Sequence, residues 1–446
     1  HLSIRRQRQM CIRDSPYIYT GKIMTKIQKE IAGTIKACQN EIVEFIQEAV
    51  RLPSLADNEG PVQKLIADKL RSLDLYVERI PVHFEKIKAH PAFCDDGYSP
   101  DSRYNILGNW QNEKAGKSLI LNGHVDVVPT GPPENWNESA WSGTLIKNRI
   151  YGRGSCDMKA GLSAGIFAVE ILKKLGFAPN GSVQIQSVVG EESGGCGTLA
   201  NIVNGYTADG AVILEPTSLR ICPIQSGALT FSITIHGRAT HAATRWEGVS
   251  AIEKFELVHQ VIQELEKDRH QSFHVQYYER SDRVAPINIG TIRSGDWHST
   301  VPEKLTAEGR LGVFPGESAG EARTALEEAI GKIAARDKWL AKEPPKVQWI
   351  DGQFESGQTS VEHPLVKTLL GCHESVTNDK GQLEGVTYGS DLRLFTNYAK
   401  IPTVLYGPGD VRTAHSANEY VEIEHVMTAV EVIANLIVRW CGGTIK

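Results

Sequence analysis

The sequence contains no apolar run of the roughly 18 to 20 residues that a membrane-spanning helix requires. No apolar segment of the secretory type follows the basic residues near its N-terminus. Acidic residues (53) outnumber basic ones (48), and the net charge of -5 includes no clustered basic excess of the kind that a nucleic-acid-binding surface needs. We therefore expect neither a membrane nor a nucleic-acid partner, and we predict a cytoplasmic protein that acts on small molecules.

The sequence also lacks a CxxC pair, although it has 8 cysteines. This scattered arrangement suits a reducing compartment better than a disulfide framework. Cys156 and Cys196 lie close in sequence to acidic residues that are candidates for a functional site. We do not expect either thiol to be catalytic, because neighbouring carboxylates disfavour a thiolate.

The chain of 446 residues exceeds the size at which one hydrophobic core keeps growing, so two or three domains are expected. Residues 1–23 are basic and lack a sustained hydrophobic period, and part of this stretch resembles translated sequencing-adapter sequence. We predict that it is a non-native or disordered extension and that the natural chain starts at Met24. A functional basic arm is the alternative interpretation.

Apolar residues recur at helical spacing from Thr25 to about Leu73, and strand-like and helix-like segments alternate from there to about Pro223. Residues 158–176 predict a buried helix that is rich in small side chains. Helical and parallel-strand signals return after about Gly352. This alternation is typical of βαβ units and predicts an α/β fold with a mostly parallel sheet.

The pattern changes after Gly227, where apolar and polar residues alternate strictly. The order strand, helix, two strands, helix, strand is typical of a ferredoxin-like α+β unit with an antiparallel sheet. We predict an inserted domain at residues 226–352 that interrupts a larger domain at residues 24–225 and 353–446. The predicted elements of the insert are strand 228–237, helix 250–268, strands 288–295 and 305–314, helix 320–340 and strand 346–350.

Side chains that commonly bind metals follow several of the strand-like runs. In an open α/β sheet, ligands collect beyond the carboxyl ends of the strands, so residues at those ends converge although they are distant in sequence. A mixed set of imidazoles and carboxylates suits zinc or a similar divalent ion, and a further carboxylate beside it can serve as a base. The candidates are His124, Asp126, Asp157, Glu191, Glu192, Glu215 and His415.

Each of these segments also has a simpler interpretation. His124 and Asp126 alone form a common hydrogen-bonding pair, and residues 190–195 alone resemble a solvated acidic turn. The glycine-rich segments 190–197 and 406–410 invite a phosphate-loop interpretation, but neither carries the GK[ST] ending of such loops. A metal site is favoured because, without it, a separate simple explanation would have to be true for each segment at the same time.

The sequence resembles a family of two-metal hydrolases that includes acetylornithine deacetylase, succinyl-diaminopimelate desuccinylase, aminoacylase and glutamate carboxypeptidase. The resemblance covers about residues 30–446 and implies an α/β metallohydrolase domain with an inserted lid and dimerisation domain. It rests on the motifs GHVDVVP (123–129), GRGSCDMKAG (152–161), GEESGG (190–195), ILEPT (213–217), GRATHAATRWEGVSAIE (237–253), YGSDLR (388–393) and YGPGDVRTAHSANEYV (406–421).

The resemblance implies two divalent metal ions, most commonly zinc, with cobalt or manganese as alternatives. It makes His124, Asp157 and Glu215 the ligands of one ion. The ligands of the other are Asp157, Glu192 and His415, so that Asp157 bridges the pair. One shared carboxylate reduces the repulsion between the ions and leaves positions open for water and a carbonyl oxygen.

The resemblance also implies three catalytic side chains. Asp126 is expected to accept the second ring N–H of His124 and so to fix its tautomer. Glu191 is expected to act as general base and then as general acid. His241 is expected to reach the active site of a partner subunit and stabilise the oxyanion, which requires a homodimer formed through the lid; a local hydrogen bond is the alternative role.

Two residues are candidates for substrate binding. Arg310 matches a lid arginine that clamps a substrate carboxylate, although an ordinary surface arginine is an equal alternative. Ser390 lies in the YGSDLR motif. The sequence departs from the family at Ser226, Arg245 and Ser299, where relatives carry residues that help to hold amino-acid substrates.

We therefore predict a metal-dependent amidohydrolase that removes a small acyl group, such as formyl or acetyl, from the nitrogen of a small N-acyl substrate. Glu215, rather than Asp, is more typical of deacylases and carboxypeptidases than of aminopeptidases. The departures disfavour a second substrate carboxylate and favour a neutral or aromatic amine, such as the formylaminopyrimidines of thiamin salvage. The alternatives are a metallo-exopeptidase and a non-catalytic binding protein, although the presence of Glu191 argues against the latter.

Overall fold

The computed structural model describes residues 21–99, 102–111 and 115–445. Most of the predicted N-terminal extension, residues 1–20, lies outside them. Helix α1 begins at Gly21, three residues before the expected first residue Met24. No described helix is long and apolar enough to cross a membrane.

The helices bury the apolar stripes that the sequence pattern indicates. In α1, Ile27, Ile31 and Ile35 are each no more than 4% exposed, because their spacing puts them on one helix face. The α-helices are α1 (Gly21–Arg51), α2 (Gly60–Ser72), α3 (Phe84–Ile87), α4 (Ala160–Lys174), α5 (Cys196–Val203), α6 (Ala251–Ser272), α7 (Ala319–Arg336), α8 (Pro364–Thr377) and α9 (Ile423–Cys441).

The strands form one large mixed sheet and smaller sheets beside it. The strands are β1 (Tyr76–Pro81), β2 (Tyr104–Trp110), β3 (Leu119–His124), β4 (Thr144–Ile146), β5 (Arg149–Tyr151), β6 (Phe177–Pro179), β7 (Val183–Val188), β8 (Ala211–Ile213), β9 (Ile221–Gln225), β10 (Gly227–His236), β11 (Ile287–Ser294), β12 (Lys304–Val313), β13 (Lys346–Phe354), β14 (Gly357–Gln358), β15 (Leu383–Val386), β16 (Thr403–Leu405), β17 (Tyr420–Glu422) and β18 (Gly443–Ile445). The large sheet has the order β1-β2-β7-β3-β8-β16-β9-β14, with β15 also paired to β9.

The centre of the large sheet is parallel, as predicted, and antiparallel strands flank it. Strands β7, β3, β8 and β16 run parallel to one another. Strands β2 and β9 join this centre in the antiparallel direction. Every residue of β3 is buried because helices cover both faces of a parallel sheet.

Helix α4 is the buried, small-residue helix that the sequence predicts at 158–176. Its residues 160–172 are all buried. A side-chain carbon at Gly161 would lie 1.9 Å from the carbonyl oxygen of Leu214, so only glycine lets the helix lie this close to the end of β8. This close packing sets the start of α4 beside the carboxyl ends of the parallel strands.

Strand β5 lies outside the large sheet. It pairs with β4 and β17 in a separate sheet and not with the large sheet. Asp157, which follows β5, therefore reaches the carboxyl edge of the large sheet from the irregular segment that enters α4.

Residues 227–354 form the antiparallel sheet β11-β12-β10-β13, on which α6 and α7 pack. The buried side chains of β10, including Phe231 and Ile233, contribute to a core that is separate from that of the large sheet. Each element of this unit begins within one residue of the predicted position and ends within four. We refer to residues 227–354 as the lid.

Candidate metal centre

The candidate residues meet at the carboxyl edge of the parallel strands. His124 is the last residue of β3, the turn after β7 carries Glu191 and Glu192, and Glu215 lies two residues after β8. The connection after β16 carries His415. These residues lie far apart in sequence, and the strand order brings them together.

Two groups of three side chains have the spacing of a metal site. The ligand atoms of His124, Asp157 and Glu215 lie within 4.8 Å of one another, and so do those of Asp157, Glu192 and His415. His124 Nε2 is 3.1 Å from one carboxylate oxygen of Asp157. His415 Nε2 is 3.4 Å from the other. Asp157 thus stands between the two groups.

A buried carboxylate that the sequence interpretation missed holds the backbone at Asp157. Glu419 Oε1 accepts the N–H groups of Cys156 at 2.9 Å and Asp157 at 3.1 Å. The second oxygen of Glu419 pairs with the buried guanidinium of Arg153 at 2.5 Å. Glu419 lies in the same motif as His415, but only the fold reveals that it contacts a segment about 260 residues away.

The predicted contact between His124 and the Asp126 carboxylate was wrong. The Nδ1 of His124 lies 2.9 Å from the main-chain oxygen of Asp126 and 3.7 Å from the nearest carboxylate oxygen. The backbone carbonyl therefore fixes the ring, with Nε2 turned towards Asp157. The carboxylate of Asp126 instead accepts the N–H of Glu192 at 3.0 Å and holds the turn after β7.

The electrostatics of the cluster are dominated by buried carboxylates. Burial, together with the charge of neighbouring acids, raises the pKa of Glu215 well above its usual range. Burial alone would raise the pKa of Asp157, but hydrogen bonds from His124 and His415 together have the larger, opposite effect. The pKa of Asp157 is therefore below its usual value. Hydrogen bonds to Asp157 and Glu192 raise the pKa of His415 to about 10.

The donor set fits divalent cations. Carboxylates outnumber imidazoles in it, and closely spaced buried carboxylates are costly unless positive charge lies between them. Oxygen and imidazole ligands suit zinc, cobalt and manganese alike. The residues therefore fit two metal ions without selecting one element.

Glu191 belongs to neither group but lies beside both. It is 7% exposed, and its Oε2 is 3.9 Å from His124 Nε2. Burial raises its pKa well above the usual range, and the nearby charge of Glu215 adds to this effect. A buried carboxylate that binds a proton more readily than usual is suited to accept a proton from water.

A cavity of about 640 Å³ opens onto the cluster. The lid contributes Arg310 and Phe354 to its wall, and the rest of the chain contributes Tyr98 and Tyr388. Arg310 donates a hydrogen bond to the carbonyl of Thr387 at 2.8 Å, and burial lowers its pKa. Its predicted contact with substrate stays a prediction.

The structure contradicts the substrate-binding role predicted for Ser390. Its side chain is fully buried and its hydroxyl donates to the side-chain oxygen of Gln225, so it is not among the described residues that line the cavity. The hydroxyl of Ser226 likewise lies 3.0 Å from the hydroxyl of Tyr278. Each serine hydroxyl therefore contacts another side chain of the protein, and neither serine is among the described residues that line the cavity.

His241 does not join the cluster within this chain. It is exposed on the lid, where its Nδ1 accepts the N–H of Ala243 at 3.1 Å. It is not among the described residues that line the cavity.

The profile of peptidase family M20/M25/M40 matches residues 120–439. The chain belongs to this family. Two curated relatives are named N-formyl-4-amino-5-aminomethyl-2-methylpyrimidine deformylase. That of Halalkalibacterium halodurans is 28% identical over 93% of this chain and 97% of its own length. That of Bacillus subtilis is 30% identical over 76% of this chain and 83% of its own.

Among solved structures, the di-peptidase Dug1p of Saccharomyces cerevisiae has a TM-score of 0.73 at 14% sequence identity and covers 93% of this chain and 98% of that chain. The likeness confirms the predicted α/β fold. Family membership and the curated relatives confirm the predicted class, a metal-dependent hydrolase of linear amide bonds. They confirm that the chain resembles the M20 family as a whole. They do not show a specific resemblance to the acetylornithine deacetylase branch of that family.

Proposed function

We propose that this M20 hydrolase removes the formyl group from an N-formyl aminomethylpyrimidine. The observation that carries the proposal is the composition of the cavity wall, which combines the aromatic residues Tyr98, Phe354 and Tyr388 with the carboxylates of the cluster. Aromatic walls suit a flat, neutral heteroaromatic amine. The names of the two curated relatives support the same substrate class.

The same wall is poorly suited to a dicarboxylic substrate. Among its described residues, Arg310 is the single lysine or arginine, whereas an N-succinyl amino acid carries more than one carboxylate. Burying an unpaired carboxylate is costly. We therefore propose the same kind of reaction as that of acetylornithine deacetylase and the desuccinylase, but a different substrate.

For the metal centre, we assign one ion to His124, Asp157 and Glu215. We assign the other to Asp157, Glu192 and His415. The spacing of the ligand atoms supports both assignments. Bound divalent ions there would polarise the formyl carbonyl and lower the pKa of water.

Glu191 is the general base of the proposed reaction. Its burial and its position in the cavity wall beside the cluster support this role. It accepts the proton of the attacking water and then passes it to the departing nitrogen, so that formate and a free amine are released.

We also propose a cytoplasmic homodimer formed through the lid. Strand β11 lies at the edge of the lid sheet, and Trp246 and Trp297 of the lid are 74% and 64% exposed. An unpaired strand edge and exposed aromatic rings favour an interface. In such a dimer, His241 supplies a hydrogen-bond donor to the oxyanion in the partner subunit's site.

The competing function is that of an exopeptidase, and Arg310 is the observation that favours it, because a guanidinium in the cavity suits a peptide carboxylate. A side-by-side assay of the zinc-loaded protein decides between them, with the N-formyl and N-acetyl aminomethylpyrimidines, N-succinyl-diaminopimelate and dipeptides as substrates. We expect kcat/KM for the formyl compound to exceed that for the succinyl compound by at least about tenfold, or about 1.4 kcal/mol.

A preference for dipeptides or for the succinyl compound would overturn the proposal. The variant Arg310→Met provides a control. It should reduce turnover of carboxylate-bearing substrates more than that of the neutral formyl compound, since only the former need the guanidinium.

A further inference from the structure

We propose that Asp96 is a positioning residue that ties the wall of the substrate cavity to the turn carrying Glu191 and Glu192. The inference rests on the proposed catalytic role of that turn. It concerns a residue outside every motif through which the sequence resembles its family.

The two oxygens of the Asp96 carboxylate bind different parts of the chain. Oδ1 accepts the N–H of Tyr98, whose side chain lines the cavity, at 3.1 Å. Oδ2 accepts the hydroxyl of Ser193 at 3.1 Å. Ser193 directly follows Glu192, so one carboxylate joins two segments of the cavity wall, the Tyr98 segment and the catalytic turn. Asp96 and Ser193 also line the cavity.

A buried arginine fixes this carboxylate. Arg103 donates to Asp96 Oδ2 at 2.5 Å through one terminal nitrogen, and to Glu59 Oε1 at 3.2 Å through Nε. The side chains of Arg103, Asp96 and Glu59 are 0%, 1% and 3% exposed. Water is therefore excluded from the contacts, and a guanidinium held by two carboxylates has little freedom to move.

Two further anchors hold the turn from residues that are not among those described as lining the cavity. The N–H of Glu192 donates to Asp126, and the buried guanidinium of Arg393 donates to the carbonyl of Gly194 at 2.9 Å. Because of the contact between Asp96 and Ser193, the position of the turn depends on the position of the Tyr98 segment. A substrate ring packed on Tyr98 meets a base whose position depends on the same carboxylate.

Kinetics of three variants test the link. Ser193→Ala removes the hydroxyl, Asp96→Asn removes the charge that holds Arg103, and the double variant combines them. We expect kcat to fall about 10- to 100-fold in each single variant with KM changed less than about threefold, because both residues line the cavity but each substitution changes its wall by only a small group, whereas the base is displaced. The double variant should lose no more than the worse single variant, since both changes break one contact. Ser193→Thr, which keeps the hydroxyl, should restore most of the turnover.

A matched control separates positioning from stability. The lid contains another buried ion pair, Arg269 with Glu317 at 2.6 Å, whose side chains are 6% and 4% exposed. Glu317→Gln should lower the melting temperature as Asp96→Asn does but leave kcat within about twofold. Equal losses of kcat in the two variants would overturn the proposal.

A second readout does not depend on activity. Hydrogen exchange of the metal-free protein, followed on peptides covering residues 189–196, should be faster in Ser193→Ala and Asp96→Asn than in the wild type and unchanged in Glu317→Gln. Unchanged exchange and wild-type kcat in Ser193→Ala would refute the link. If the wild type hydrolyses no formyl compound, the proposed function fails, while the exchange comparison still decides whether Asp96 holds the turn.

Discussion

Replacing Glu191 with Gln tests the proposed chemistry most directly. The amide keeps the size of the side chain, and Glu191 belongs to neither group of candidate ligands. Both metal ions should therefore remain bound. What is lost is a proton acceptor whose pKa is raised by burial, and such a group contributes about 10²- to 10⁴-fold to turnover, or about 2.7 to 5.4 kcal/mol.

The assay measures formate release at saturating substrate from zinc-loaded protein, together with zinc content by elemental analysis. Glu192→Gln is the matched control, because it makes the same change one residue away in a candidate ligand. We expect it to lose zinc as well as activity, whereas Glu191→Gln loses activity alone. A fully metallated Glu191→Gln variant with turnover within about threefold of the wild type would refute the role of base.

Further predictions concern the metal centre and the dimer. Asp157→Ala should lose both ions, since it removes the carboxylate common to both groups, and tight binding of two equivalents would show that Asp157 does not bridge. Glu419→Gln should weaken zinc affinity about 10- to 100-fold in competition titrations, because the backbone of Asp157 loses its charged acceptor; unchanged affinity would contradict this. Mixing His241→Ala with Glu191→Gln subunits should regain activity after exchange, because one site per heterodimer then holds both intact groups. No recovery after verified exchange would exclude action across the dimer.

The sequence predicts the fold well where periodicity is strong. Alternating burial in β10 and the small residues of α4 mark these elements without any knowledge of their partners. The sequence does not reveal that β5 leaves the large sheet, because a strand's partner depends on residues that are remote in the chain. The role predicted for Asp157 does not depend on which sheet contains β5.

The sequence indicated the side chains at the centre of the candidate site. It did not indicate the residues that hold those side chains in place. Residue type and motif were enough to select His124 and Glu215 as candidate ligands, and the fold places them in one cluster. Glu419 accepts hydrogen bonds from backbone N–H groups, and a pattern of side chains in the sequence does not show which backbone groups a carboxylate will contact. Ser390 illustrates the opposite error, because a hydroxyl in a motif beside the cavity is indistinguishable in sequence from one that faces a buried glutamine.

The lid leaves and rejoins the rest of the chain at one place, since Ala228 near its start pairs with Phe354 at its end. Each candidate metal ligand lies outside residues 227–354, whereas Arg310 and His241 lie inside them. A segment with adjacent ends can be exchanged or shortened without displacing the strands that flank it. Evolution can therefore alter the part of such an enzyme that covers the cavity by replacing one continuous stretch of gene, while the candidate metal ligands are inherited unchanged.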